Sequence, residues 1–253
     1  MILVRDIYNY INEIAPFSLQ AGYDNSGLVV GNQYYGVKTV LTALDITNDV
    51  ITDAEELGAE LIITHHPPIF RAIKKIDTES PVGALMMNGI SVISAHTSFD
   101  SAKGGMNDLL CEKLGLTPDK SLAEEDGVPV GYICSCAPTK PEELAEKIKA
   151  ALGCEVVRFN DMGGSIETVA VCSGSGGSLL GDVIANECDA YITGDIKHDV
   201  FIDAYNAGVT VFDAGHFHTE DIFCDHLADK LKERFPELTV LKAPSDKDVL
   251  SYA

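Results

Sequence analysis

Positive charge is what this 253-residue chain has least of: 18 lysines and arginines stand against 39 acids, a formal net charge of -21. A duplex partner needs a basic face, and so few cations can hardly build one. The balance therefore argues against a general nucleic-acid or anionic-membrane binder. No apolar run approaches the length of a membrane span. The opening Met1-Ile2-Leu3-Val4-Arg5-Asp6 has neither the basic region nor the long apolar core of a secretory signal. Paired cysteines are missing too. The seven are odd in number and scattered, and the one close pair, Cys134-Ser135-Cys136, is too tightly spaced for a zinc motif and has no second pair to join it. Reduced core thiols and a cytoplasmic setting are the expectation. No Gly-Lys-Ser/Thr occurs, which excludes a P-loop.

What is present is an ordinary globular composition, 46% hydrophobic with charges spread throughout, enough for one large or two small domains with a buried core. Its most informative stretch is Leu61-Ile62-Ile63-Thr64-His65-His66-Pro67-Pro68. An apolar, β-branched run of this kind reads as a buried strand, and the prolines after the two histidines forbid a helix. Adjacent residues of an extended segment point to opposite sides. Two neighbouring imidazoles thus reach two cations about 3.5 to 4 Å apart more easily than one shared ion.

The same chemistry follows two further apolar strands. Ile90 to Ala95 runs into His96-Thr97-Ser98-Phe99-Asp100, and Val209 to Gly215 into His216-Phe217-His218-Thr219-Glu220, so five of the seven histidines stand just past strand ends. α/β proteins keep their sites there. The spacing alone does not choose between His96 and Asp100 as ligand, or between His216 and His218.

Taken in order, the chain opens on a helix from Leu3 to Ile14, stopped by Pro16, and then a tight turn at Asp24-Asn25-Ser26-Gly27 enters a short strand. That turn is read either as turn chemistry alone or as part of a site wall. Strand and helix then alternate: strand Val37 to Leu44, a helix capped by Asn48 and ended by Gly58, the strand into His65, a helix opened by Ser80-Pro81, the strand into His96, and a helix from Gly104-Gly105 to about Gly115. Alternation of this sort predicts a mostly parallel sheet covered by helices, an α/β fold. Thr117 to Gly127 is polar and reads as the domain boundary. Beyond it come a strand from Gly131 to Cys136, a helix from Pro141 to Leu152 closed by Gly153, and a strand from Val156 to Phe159.

A repeat follows. Thr168-Val169-Ala170-Val171 resembles Thr39-Val40-Leu41-Thr42, and 24 residues after Val169 and after Val40 come the strand ends Ile192-Thr193-Gly194-Asp195 and Ile63-Thr64-His65-His66. Two similar α/β lobes from an internal duplication are expected, 1–122 with a returning segment of about 216–253, and 123–215, with a metal site in the cleft between them. The loop Ser173-Gly174-Ser175-Gly176-Gly177-Ser178 lacks the third glycine of a dinucleotide fingerprint and reads as an anion cradle or a plain turn. His198, at the start of a helix, is a candidate proton carrier; His226, inside the last helix, is read as structural.

Together, Asp24-Asn25-Ser26-Gly27-Leu28, Thr64-His65-His66-Pro67, His96-Thr97-Ser98-Phe99-Asp100, Thr193-Gly194-Asp195-Ile196-Lys197-His198 and Gly215-His216-Phe217-His218-Thr219-Glu220 closely resemble the GTP cyclohydrolase I type 2 homologues, the Nif-three-like proteins. The likeness spans nearly the whole chain and corresponds to the short form of that family. It implies two-lobed subunits in toroidal homohexamers with a dinuclear metal site facing the central cavity. It also implies His65, His66, Asp100, His216 and Glu220 as ligands of two divalent ions per subunit.

Three imidazoles and two carboxylates suit zinc, manganese or iron. Two such ions against two carboxylates leave about two positive charges, enough to draw a small anionic substrate such as a nucleotide to an acidic protein. The expected function is hydrolase-like. Glu220 bridges the ions, a metal-activated hydroxide attacks a purine C8 or a phosphoester, and His96 or His198 moves the proton. The alternative is a metal-binding or regulatory scaffold without fast catalysis.

Overall fold

In a computed structural model that describes residues 1–125 and 127–252, the chain divides into two units. The first comprises Met1–Lys103 and Phe223–Lys247; the second comprises Gly104–Ile222 and the segment from Asp248 onward. The sequence puts the first division at 122/123, but the helix Met106–Lys113 buries Leu110 and Cys111 against Cys134, Val169 and Val171, which makes it part of the second unit's core.

In the first unit, four parallel strands stand in the order Thr239–Lys242, Thr39–Ala43, Leu61–Thr64 and Ser91–Ser94, with Gly27–Val30 antiparallel beside the last. Leu61, Ile62, Ile63 and Thr64 are all fully buried, as a central strand covered on both faces requires. Alternate residues serve opposite faces: Leu41, Ile62 and Val92 join one cluster with Val50, Ala54 and Leu85 of the helices Asn48–Leu57 and Pro81–Met87. The cap of the first of these helices is Thr47, whose hydroxyl accepts from the Val50 amide, and not Asn48, which is its first helical residue. Ser80 caps the second from just before Pro81. Parallel strands all leave the sheet at one edge, so the segments after Ala43, Thr64 and Ser94 emerge side by side.

The second unit has three adjacent parallel strands, Ile166–Ser175, Ala190–Gly194 and Thr210–Asp213, with antiparallel strands at both ends. Val169, Val171, Ile192 and Phe212 fill one face; Ala170, Cys172, Tyr191 and Val211 fill the other. Thr117–Glu125, read from the sequence as a boundary, is instead a nine-residue edge strand on Val128–Thr139. An edge strand pairs on one side only, and a single fully buried side chain, Leu122, holds it to the sheet, so its composition stays polar. Residue 126, within the same expected boundary, lies outside the described residues. The strand expected from Val156 is confined to Arg158–Phe159. All seven cysteines are free, and Cys111 and Cys134 bring their sulfurs to 3.8 Å in the core. No helix among the described residues is long and apolar enough to cross a membrane.

Candidate functional site

At the exit edge of the first unit's sheet, His65 and His66 follow the buried strand Leu61–Thr64 and stay tied to its neighbour. The His65 amide donates to the Ala43 carbonyl at 3.3 Å and the His66 amide to the Leu44 carbonyl at 3.0 Å. His65 is wholly buried. Its Nδ1 lies 2.9 Å from the Ala95 carbonyl oxygen. A carbonyl can only accept, so Nδ1 carries a proton, and in the neutral ring the lone pair is left on Nε2. That Nε2 is 3.5 Å from Asp100 Oδ1.

Two more imidazoles are oriented in the same way by carboxylates. His66 Nδ1 lies 2.9 Å from Asp45 Oδ1, and His96 Nδ1 lies 2.7 Å from Asp24 Oδ1. The three rings stand 5.0 to 5.4 Å apart between centroids, and one ligand atom from each of His65, His66 and His96 falls within 4.8 Å of the others. The first unit thus gathers both alternatives of its strand-end motif, His96 and Asp100, beside His65.

Asp24 gives the turn before Gly27–Val30 a part in this cluster. Its second carboxylate oxygen accepts from the Thr97 hydroxyl at 2.6 Å, the Ser26 hydroxyl at 2.8 Å and the Thr97 amide at 3.1 Å, while the Ser26 hydroxyl in turn accepts from the His96 amide at 3.1 Å. Burial by itself raises the Asp24 pKa, but the hydrogen bonds from His96 and Thr97 outweigh it and hold the carboxyl well below the usual range. A depressed folded-state pKa gives stability that is complete above the unfolded value of 3.8 and is lost as pH falls through the lower folded value. Asp24→Asn is therefore expected to destabilise the protein by about 1–3 kcal/mol at neutral pH, with the gap closing in strong acid. Urea midpoints measured across pH check this; equal midpoints at pH 7 would count against it.

The second unit carries its own donors. Strand Ala190–Gly194 ends at Asp195, held at φ 54°, and strand Thr210–Asp213 passes through Gly215 into the short helix His216–Glu220. Asp213 fixes this exit by accepting from the Gly215 and Ile196 amides, both at 3.0 Å, and pairs with Arg158. His216 Nδ1 lies 2.7 Å from Asp195 Oδ2, and its Nε2 lies 3.0 Å from Oε2 of the buried Glu220. His218 instead meets Asp248 at 3.4 Å. His198 is exposed at the start of His198–Ala207 and belongs to neither donor group among the described residues. The ring of His226 lies 6.2 Å from that of Phe99.

These donors fit divalent cations. Each of the four imidazoles His65, His66, His96 and His216 is anchored through Nδ1, an arrangement that orients the ring and leaves Nε2 available to a metal or a proton. Two ligands bound at about 2.1 Å to one cation lie roughly 3.0–3.4 Å apart. The pair His216–Glu220 at 3.0 Å has that separation, and His65–Asp100 at 3.5 Å stands just beyond it. The sequence motifs did not single out the anchors Asp24, Asp45 and Asp195 as partners. A signal was available for two of them, since Asp45 and Asp195 stand just past parallel strands as His65 and His216 do.

A family model, Duf34/NIF3 (NGG1p interacting factor 3), matches residues 2–248. A Clostridium perfringens protein named GTP cyclohydrolase 1 type 2 homolog is 37% identical over 241 residues, covering 91% of this chain and 92% of its own. A Helicobacter pylori protein named GTP cyclohydrolase 1 type 2 is 33% identical over 229 residues, covering 87% and 88%. Among solved structures, a Bacillus cereus protein related to NIF3 superposes with a TM-score of 0.91 at 22% identity, covering 100% of this chain and 99% of its own, a likeness of fold. Reduced HcgD from Methanocaldococcus jannaschii gives a TM-score of 0.84 at 29% identity, covering 96% and 98%. With motifs, fold and nearly full-length relatives in agreement, this chain belongs to the DUF34/NIF3 family.

Proposed function

We propose that the protein is a metal-dependent hydrolase that uses two divalent cations, with His65, His66, Asp100, His216 and Glu220 as their ligands. The observation that carries this reading is the recurrence, in both units, of strand-end imidazoles fixed through Nδ1 by an oxygen acceptor. Such an acceptor fixes the tautomer and the ring orientation that metal ligation requires. Zinc, manganese and iron all suit the mixed nitrogen and oxygen donors.

Bound cations supply Lewis acidity, which makes water nucleophilic at neutral pH and offsets charge on the substrate. The chain's own residues supply placement and proton handling. Asp24 keeps the His96 proton on Nδ1, so His96 Nε2 is free of that proton and can accept one from an attacking water. His198, exposed and outside both donor groups, is not assigned that role. The anchored His96 favours a catalyst over a passive metal scaffold.

The substrate class proposed is a small anion: a nucleotide opened at its purine C8, in keeping with relatives named for GTP cyclohydrolase 1 type 2, or a phosphoester. A cytoplasmic homohexamer is proposed alongside it.

The test is metal analysis of purified protein, then incubation of the metal-replete form with GTP and a panel of phosphoesters beside Glu220→Ala. Two metal equivalents and turnover that the variant lacks are expected. Protein that takes up no cation would overturn the reading, and full loading with no turnover of any substrate would leave the scaffold instead.

A further inference from the structure

The glycine loop after Val171 has a use that neither an anion cradle nor a plain turn describes. The register of strand Ile166–Ser175 against Ala190–Gly194 shifts between Val171 and Ser175. Such a bulge re-aims the backbone locally. Within it Gly174 adopts φ +60°, and a Cβ placed there would lie 2.3 Å from Glu220 Oε1, 3.2 Å from Glu220 Cδ and 3.3 Å from His216 Nε2. The bare backbone of Gly174 is thus the surface against which the carboxylate rests.

Hydroxyls hold that surface to the short helix bearing both donors. The Gly174 amide donates to Thr219 Oγ1 at 3.0 Å, and Thr219 Oγ1 donates to the His216 carbonyl at 2.8 Å. On the other side Thr193 Oγ1 donates to the Gly174 carbonyl at 3.2 Å and accepts from the Gly176 amide at 3.0 Å, while Tyr191 donates to the Gly176 carbonyl at 2.8 Å. Thr193, Thr219 and Tyr191 are completely buried, so water does not compete for these bonds. Gly194 makes a second close approach: a Cβ there would meet the His216 amide nitrogen at 2.7 Å.

We infer that Gly174 and Thr219 are positioning residues, a seat without a side chain and its hydroxyl latch, which fix Glu220 and His216 as a donor pair before a cation arrives. Donors already in place lose less freedom on binding, and affinity rises accordingly. The consequence for metal affinity rests on the function proposed above; the placement of the carboxylate does not.

The experiment compares Gly174→Ala with Gly208→Ala, because Gly208 has φ +78° and open space around its Cβ position. Both variants carry left-handed backbone strain, but only the first collides with the donors. Crystals of metal-free Gly174→Ala are expected to show the Glu220 carboxylate displaced by at least 0.7 Å, the gap between 2.3 Å and the 3.0 Å that real Cβ contacts respect. Calorimetric titration with zinc or manganese is expected to show about ten-fold weaker binding for Gly174→Ala and for Thr219→Val, with Gly208→Ala and Thr219→Ser within about two-fold of wild type.

Wild-type affinity in Gly174→Ala, or equal losses in Thr219→Ser and Thr219→Val, would overturn the inference. If Gly174→Ala fails to fold, the Thr219 pair decides. If wild type binds no cation, the proposed function falls, and an unmoved Glu220 in the Gly174→Ala crystals would overturn the seat as well.

Discussion

Glu220→Ala is expected to weaken cation binding on the order of a hundred-fold or more, beyond the ten- to hundred-fold that loss of an outer-shell partner brings. Glu220 is only 3% exposed, and its carboxylate stands beside His216 Nε2 on a helix one turn long. A carboxylate is seldom buried without a charged or hydrogen-bonded counterpart, because desolvation is costly. In the proposed function its charge would attract a cation, and its removal would take away both a ligand atom and the negative charge. His65→Ala tests the other unit in the same way, since it deletes the Nε2 that faces Asp100. Metal content after dialysis and titration of each variant read the result. Unchanged metal content in both would show that the two groups are structural.

Phe223→Ala is expected to cost about 3–5 kcal/mol of stability, in the range for an aromatic side chain deleted from a core. Phe223 is fully buried near the start of the helix Ile222–Arg234, edge-on to Phe99 at 5.0 Å and tilted against His65 at 5.2 Å. The cavity would open directly behind the imidazole that the strand delivers, so His65 loses its wall together with the packing. Phe223→Leu keeps most of the volume and should cost less than about 1.5 kcal/mol. Met87→Ala, at a residue 71% exposed, should stay within about 0.5 kcal/mol of wild type. Urea unfolding followed by circular dichroism separates these cases. A Phe223→Ala midpoint equal to that of Met87→Ala would rule out the packing role.

The parallel core is legible in the sequence because a strand buried on both faces must be apolar throughout. Leu61–Ile63 and Ser91–Ile93 announce themselves, and so do the histidines that follow. Helix ends with local punctuation are equally clear: Gly58, Gly153 and Gly208 each sit left-handed one residue past a helix. Features made by pairing across the chain are not legible in this way. Asp24 finds His96 72 residues away, and Asp45 finds His66 21 residues away, through sheet order that no local pattern encodes.

Gly174 was hidden for a different reason. A glycine-rich run looks the same whether its backbone bends for a ligand, for a turn, or to make room for Glu220. The edge strand Thr117–Glu125 does not show in the sequence because pairing on one side needs few apolar residues, and a polar composition reads as linker.

That outermost strand also bears on how the protein behaves at high concentration. It carries Pro118, which has no amide to give a ladder, and the exposed Lys120, Glu124 and Glu125, while the Asn186 side chain covers the Leu122 carbonyl by donating to it at 3.4 Å. Fibril-like stacking along this margin is thereby opposed, and a chain rich in β-branched segments is kept from templating its own copies.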